Sequence, residues 1–216
     1  MSIDANHLTT RLGEAISSTP GAGGAAMSWL WPALLRELAR GRPVTVEQLA
    51  HATGRSPAEV RAGLAGLSDT EYDEQGAVVG HGITLRETPH QFTVDGQQLY
   101  TWCALDTLIF PTILGRPAQV SSPTPGSGEP VGLQVDPVAG VSAVEPATAV
   151  VSVLVPDGGT SVRAAFCNQV HFFATPAAAQ QWLTEHPGGA VLSVAEGFAL
   201  GRRLAQDLVA GQPGCC

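Results

Sequence analysis

The chain has 216 residues, enough for one large domain or two small ones. At this size roughly 70% of the unfolded surface can be buried, so a core needs no disulfide staples. The formal charge is −8 with no lysine; residues 1–80 carry six Arg against nine acids and the remainder five against ten, so neither half has the basic footprint of a nucleic-acid binder.

The opening MSIDANHLTTRLGEAISS lacks a basic stretch followed by a long apolar core, so no export leader is expected. No apolar run approaches the roughly 20 residues that span a bilayer. Four cysteines without an export signal point to a reducing cytoplasm and free thiols.

In chain order, a short helix is predicted from about Thr9 to Ile16, then a Gly/Ala/Ser/Pro loop over Ser17–Ala26. Leu30, Leu34, Leu35 and Leu38 share one helical face, and Gly41 and Pro43 end that helix. Thr45 with Gln48, and Ser56-Pro57 with Glu59, form two capping boxes on either side of Gly54. They predict helices over Val46–Thr53 and Pro57–Leu67 at helix-turn-helix spacing. The strand-like pieces EYDEQGAVVGHG and ITLRE follow, as in a winged helix.

HQFTVDGQQLY predicts a hairpin around Asp95-Gly96. Its second strand leads into CALDTLIF, a short helix expected to stop near Pro111. SSPTPGSGEP (121–130) reads as a loop. Strands are expected at Thr148–Val155 and at 170–175, with Cys167 at the start of the second. A helix is expected from Thr175-Pro176 to Pro187-Gly188, then a strand over Ala190–Val194 and a helix over Glu196–Ala210. The tail GQPGCC is expected to be mobile. These readings divide the chain into a helix-turn-helix unit (1–85), an α+β unit (86–212) and a Cys-containing tail (213–216).

The chemistry concentrates at Cys103 and Asp106. At i and i+3 on a helix they face one side, roughly 5–6 Å apart at Cβ. A first-turn Cys103 would have its thiolate favoured by the helix N-terminus. Asp106 lies among Leu105, Leu108, Ile109 and Phe110, where burial raises a carboxyl pKa and suits it to hold and return a proton. Against this stands the reading of Cys103 as a small core hydrophobe with Asp106 bonded to backbone amides. Cys167 adds a second thiol, and two thiols with a carboxylate form a soft-metal or reactive trio if the fold joins them. Cys167-x-x-x-His171 invites zinc, but the close Cys-x-x-Cys pairs of structural sites are missing. A Cys103/His171 hydrolase lacks a glycine-rich oxyanion turn. Tyr100 and Trp102 either line a pocket or simply pack. Cys215 and Cys216 either pass on a thiophilic ion or form an exposed tail.

At these residues the chain resembles the bacterial organomercurial lyase (alkylmercury lyase) family. The matching stretches are LLRELARGRPV, TEYDEQGAVVGHGITLRET, LYTWCALDTLIFPTILGR, VSS, AVEP and FCNQVHFFAT, from about Leu34 to Phe198. The resemblance implies a helix-turn-helix-like domain that does not serve DNA binding, joined to an α+β catalytic domain with a mixed or antiparallel sheet. It implies protonolytic cleavage of carbon–mercury bonds to a hydrocarbon and Hg(II). The family's catalytic thiols map onto Cys103 and Cys167 and its carboxylate onto Asp106, the same trio holding the Hg(II) product. No cofactor is implied beyond reducing thiols for turnover. The partners implied are an organomercurial substrate and small thiols or a mercuric reductase as Hg(II) acceptor, with no nucleic acid and no membrane. Two departures stand out: further cysteines of some relatives are replaced by Pro123-Thr124 after VSS and by Asn168 beside the second thiol. Neither belongs to the trio. A winged-helix metal sensor and a non-catalytic mercury- or zinc-binding protein remain the competing readings.

Overall fold

A computed structural model describes residues 5–18, 24, 26–156 and 161–210. Cys215 and Cys216, and most of the loop expected around residue 20, lie outside the described residues. Three helices come first: α1 (Ala5–Ser18), α2 (Ala26–Trp29) and α3 (Trp31–Leu38). Leu30, Leu34, Leu35 and Leu38 are all fully buried, as their one-face spacing requires. Both capping boxes form. Thr45 Oγ1 accepts from the Gln48 amide at 3.2 Å and Gln48 Oε1 from the Thr45 amide at 2.8 Å, opening α4 (Val46–Thr53). Ser56 and Glu59 do the same for α5 (Pro57–Ala65). Gly54 turns the chain between the two helices at φ 67°.

A wing of short strands follows: β1 (Glu71–Tyr72), β2 (Val78–His81) and β3 (Ile83–Thr84). The predicted hairpin is β4 (His90–Val94) and β5 (Gln97–Thr101). Asp95 and Gly96 both have positive φ, 50° and 78°, which lets a two-residue turn match the twist of its strands. After α6 (Ala104–Leu114) come β6 (Ala118–Pro123), β7 (Pro130–Asp136) and β8 (Gly140–Glu145). The last part is β9 (Val150–Val153), α7 (Val162–Ala165), a 3-10 turn at Cys167–Gln169, β10 (Phe172–Phe173), α8 (Gln180–Glu185), β11 (Ala190–Ser193) and α9 (Val194–Ala210).

Among the described residues the strands form an eight-stranded sheet, β1-β2-β3-β5-β4-β6-β7-β8, and a three-stranded one, β10-β9-β11. Every pairing is antiparallel. This is an α+β fold: a helical N-terminal part with a helix-turn-helix, then a sheet-rich part. The wing is not separate from the larger sheet, because β3 pairs with β5 through Ile83 opposite Thr101.

Four elements depart from expectation. The helix α6 does not stop at Pro111 but runs through it to Leu114. Proline removes an amide donor, yet all but Thr112 and Leu114 of this helix are buried, so packing overrides the local preference. The loop expected over 121–130 is shorter, spanning 124–129, because Ser121, Ser122 and Pro123 pair with Gly132, Val131 and Pro130. The segment 170–175 is strand only at Phe172–Phe173, and Cys167 sits in the 3-10 turn before it, closed by Val170 N to Cys167 O at 3.2 Å. Thr175-Pro176 opens a turn, with Thr175 Oγ1 accepting from Ala178 N, and the helix starts only at Gln180.

α6 is the centre of the molecule. Apolar on all sides, it packs against the large sheet, α3 and α9. Contact with α9 is close because Gly197 and Gly201 carry no side chain. A Cβ at Gly201 would come within 3.1 Å of Ile109 Cγ1 and 3.3 Å of the Leu108 carbonyl carbon. One at Gly197 would meet Val151 Cγ1 at 2.6 Å.

Candidate active site

Cys103 is the N-cap of α6, with an extended backbone (φ −145°, ψ 169°) that turns the chain from β5 into the helix. Its sulfur stands where a capping hydroxyl would, facing the Asp106 amide. In return Asp106 Oδ2 accepts from the Cys103 amide at 3.2 Å. The i, i+3 spacing read from the sequence is therefore a capping box built with sulfur. Cys167 reaches the same point from the 3-10 turn. Ala104 N donates to Val170 O at 3.2 Å, tying the first turn of α6 to the segment that carries the second thiol.

The three side chains converge: the sulfurs of Cys103 and Cys167 and a carboxylate oxygen of Asp106 all lie within 4.8 Å of one another, and all three residues are buried. Both cysteines are free thiols. Burial pushes the Asp106 carboxyl up to about 7, against the pull of hydrogen bonds from the Cys103 thiol and amide and of the Arg163 charge. Burial also drives the Cys103 thiol well above its ordinary value, so desolvation outweighs the helix terminus that was expected to favour its thiolate. For Cys167, the hydrogen bond from Cys103 and the nearby Arg163 charge pull the thiol down, while burial and the Asp106 carboxylate leave it raised. Arg163 thus favours ionisation at Cys167 rather than at Cys103.

Two of the trio, Asp106 and Cys167, border an almost wholly apolar cavity of ≈ 80 Å³ walled by Trp31, Trp102, Ile109 and Phe110, with Cys103 buried behind them. Met27, Asp69 and His81 from the N-terminal part and Leu208 from α9 also line it. The chamber is therefore built jointly by the two parts of the chain. His81 packs edge-on against Trp102 and is held neutral, its pKa driven to about 4 by burial.

The remaining candidates fall elsewhere. His171 stacks on His90, ring centroids 6.3 Å apart, and among the described residues it does not join the cluster of Cys103, Asp106 and Cys167. Tyr100 lies on the outer side of β5 with its hydroxyl beside Gln98 Nε2 at 3.1 Å, whereas Trp102 does line the cavity. Asn168 is exposed. The sequence reading passed over Glu71, which lies in the acidic-looking stretch TEYDE, and over Arg163 and His81. No local pattern marks Glu71 as buried; its partners are 13 to 92 residues away.

Two thiols and a carboxyl gathered beside a small apolar chamber define a thiol-based enzyme suited to a soft metal bearing an organic group. Family comparisons fix the class. Residues 83–206 match the family model described as alkylmercury lyase, and residues 7–82 match that of the helix-turn-helix domain of alkylmercury lyase. Relatives named alkylmercury lyase include one from Streptomyces lividans, 59% identical over the full length of both chains. Others are from Bacillus cereus, 50% identical over 100% of this chain and 99% of the relative, and from Pseudomonas putida, 45% identical over 96% of each. A solved structure described as the mercury-bound form of MerB2 shares the fold, with a TM-score of 0.75 over 94% of this chain and 99% of that one at 22% identity. The chain belongs to the alkylmercury lyase family and is an enzyme of that class.

Proposed function

We propose that this enzyme cleaves the carbon–mercury bond of alkyl- and arylmercury compounds by protonolysis, with Cys103, Cys167 and Asp106 as the catalytic residues and as the ligands of the Hg(II) product. The observation that carries this is the buried trio within 4.8 Å, with Asp106 and Cys167 in the wall of an apolar cavity. One thiolate, favoured at Cys167 by the Arg163 charge, bonds to mercury of R–Hg–X and displaces X⁻. The second thiol bonds next, and its proton passes to the Asp106 carboxylate. Two sulfur donors push electron density toward the bound carbon. Asp106, held within 4.8 Å of both sulfurs, returns the proton to that carbon. The C–Hg electron pair becomes the new C–H bond, R–H departs, and Hg(II) stays on both sulfurs until external thiols or a mercuric reductase remove it. The scheme uses no organic cofactor and no resident metal.

Cavity size bears on the organic group. A cavity of roughly 150 Å³ takes benzene, so ≈ 80 Å³ suits a methyl or ethyl group, and an aryl group needs movement of the half-buried Met27 and Leu208. The helix-turn-helix part serves as cavity wall in this reading, not as a DNA reader. Its arginines support that: Arg55 pairs with Glu59 and stacks on Trp29, and Arg61 pairs with Glu47. Among the described residues no helix is long and apolar enough to cross a membrane, and we place the enzyme in the reducing cytoplasm, where its thiols stay free. The deciding experiment is gas chromatography of methane or benzene released by the purified protein with excess thiol. Cys103→Ala, Cys167→Ala and Asp106→Ala each abolish release; full activity in any one of them removes that residue from the scheme.

A further inference from the structure

Glu71 is a carboxylate from strand β1 whose side chain is only 7% exposed. Three donors converge on it. Thr84 Oγ1 donates to Oε2 at 2.5 Å, Trp102 Nε1 donates to Oε1 at 3.2 Å, and the Arg163 guanidinium pairs with Oε1. Room for the carboxylate comes from Gly80, where a Cβ would collide with Glu71 Oε2. The guanidinium also lies over the Trp102 ring, 4.8 Å from its centroid. Carboxylate, cation and indole close a triangle.

Two corners of this triangle adjoin the sulfurs in sequence. Trp102 immediately precedes Cys103, and Arg163 stands four residues before Cys167, on the four-residue helix α7 that leads into the Cys167 turn. The sulfurs lie on segments 64 residues apart, so their separation depends on what ties those segments together. One tie is the Ala104–Val170 backbone bond. The stacking of Arg163 on Trp102 is a second, and Glu71, from the N-terminal part of the chain, braces it by bonding both. As a stabiliser a buried ion pair is weak, because desolvation offsets most of the attraction. Direction is what charge-assisted hydrogen bonds to a fixed carboxylate do supply.

We propose that Glu71 is a positioning residue that clamps Trp102 to Arg163 and so holds Cys103 and Cys167 at the spacing where both bond one heavy atom. This rests on the two-thiol reading of the site, and its test separates the two. Phenylarsine oxide condenses with two neighbouring thiols, forming two As–S bonds and releasing water, and so reports sulfur spacing without any lyase chemistry. Capture is measured for the parent, a Cys103→Ser control, Glu71→Gln, Arg163→Met and the double variant, beside kcat and KM for methane release from methylmercury. Glu71→Gln loses the charge opposite Arg163 and turns a donor toward Thr84. It is expected to weaken capture at least fivefold and to lower kcat by a similar factor, with KM within twofold of the parent. Arg163→Met is expected to do the same, and the double variant to be no worse than the worse single one, since both act through one bond. Parent-like capture and kcat in both single variants overturn the proposal, as does an additive double variant. Should Glu71→Gln fail to fold, Arg163→Met decides by the same readouts. A parent that captures the arsenical but releases no methane ends the lyase scheme, while the clamp still stands or falls on capture alone.

Discussion

Asp106 combines two demands in one side chain. Its Oδ2 holds the Cys103 amide, which fixes the N-cap, and the same carboxyl borders both thiols. Asp106→Asn keeps the acceptor and the shape but cannot carry a proton. Hydrocarbon release is expected to fall by about 100-fold or more, the usual scale for a lost general acid–base. Two-thiol binding of Hg(II) is expected to persist, seen as ultraviolet sulfur-to-mercury charge transfer. Stability moves the other way. The folded pKa of about 7 lies above the 3.8 of an unburied aspartate, so the folded state holds the proton and loses stability as pH rises through 7. Above pH 8 Asp106→Asn therefore melts higher than the parent, by up to about 4 kcal/mol in stability. Cys103-x-x-Asp106 was legible because residues three apart at a helix start face one another. Glu71 was not, because its donors come from β3, the end of β5 and α7, and only the tertiary fold brings them to one carboxylate.

Helix α6 shows what local sequence can and cannot say about an element. Its composition announced a buried helix, and its start was set by Cys103 and Asp106. Its end was misplaced, because the Pro111 ring disfavours a helix only until packing on every side outweighs it. The two capping boxes and the Asp95-Gly96 turn were legible for the opposite reason: their hydrogen bonds close within two to four residues. The short β10 was not, since Ser152 Oγ accepts the His171 amide at 2.9 Å from across the small sheet and so sets where pairing begins. The α6–α9 crossing yields a prediction at this scale. Gly201→Val would force branched carbons against the Leu108 backbone and Ile109, and backbone has little room to give. A loss of about 1–3 kcal/mol is expected, read as a lower urea midpoint at unchanged slope. Because Leu108 and Ile109 lie one turn from Asp106, activity should fall with stability rather than survive it.

Across the whole molecule, buried histidines set the acid limit. His81 and His90 are both driven to about 4 by burial, below the 6.5 of an exposed histidine. The unfolded chain therefore binds more protons between 4 and 6.5, and stability falls as pH drops through that window. Asp106 acts in the opposite sense below 7, but two imidazoles outweigh one carboxyl. Stability is thus expected to peak near pH 6–7 and to fall on both sides, measured by urea midpoints from pH 4 to 8. His90→Gln should remove most of the acid-side slope, since one imidazole then opposes one carboxyl, provided the amide keeps the partner that His90 Nδ1 has in Ser122 Oγ at 2.7 Å.

The pairing of Ile83 and Thr84 with Thr101 and Tyr100 has a consequence for how the enzyme can be dissected. A fragment beginning after residue 85 would strip β5 of a neighbour and leave a raw sheet margin inviting intermolecular association. It would also open the chamber to water along the side now closed by Trp31 and His81. Expressed alone, residues 86–216 are expected to aggregate, whereas supplying residues 1–85 in trans should recover soluble material, and size-exclusion chromatography distinguishes the two outcomes. The amino-terminal portion is then less an appendage than the missing half of the vessel.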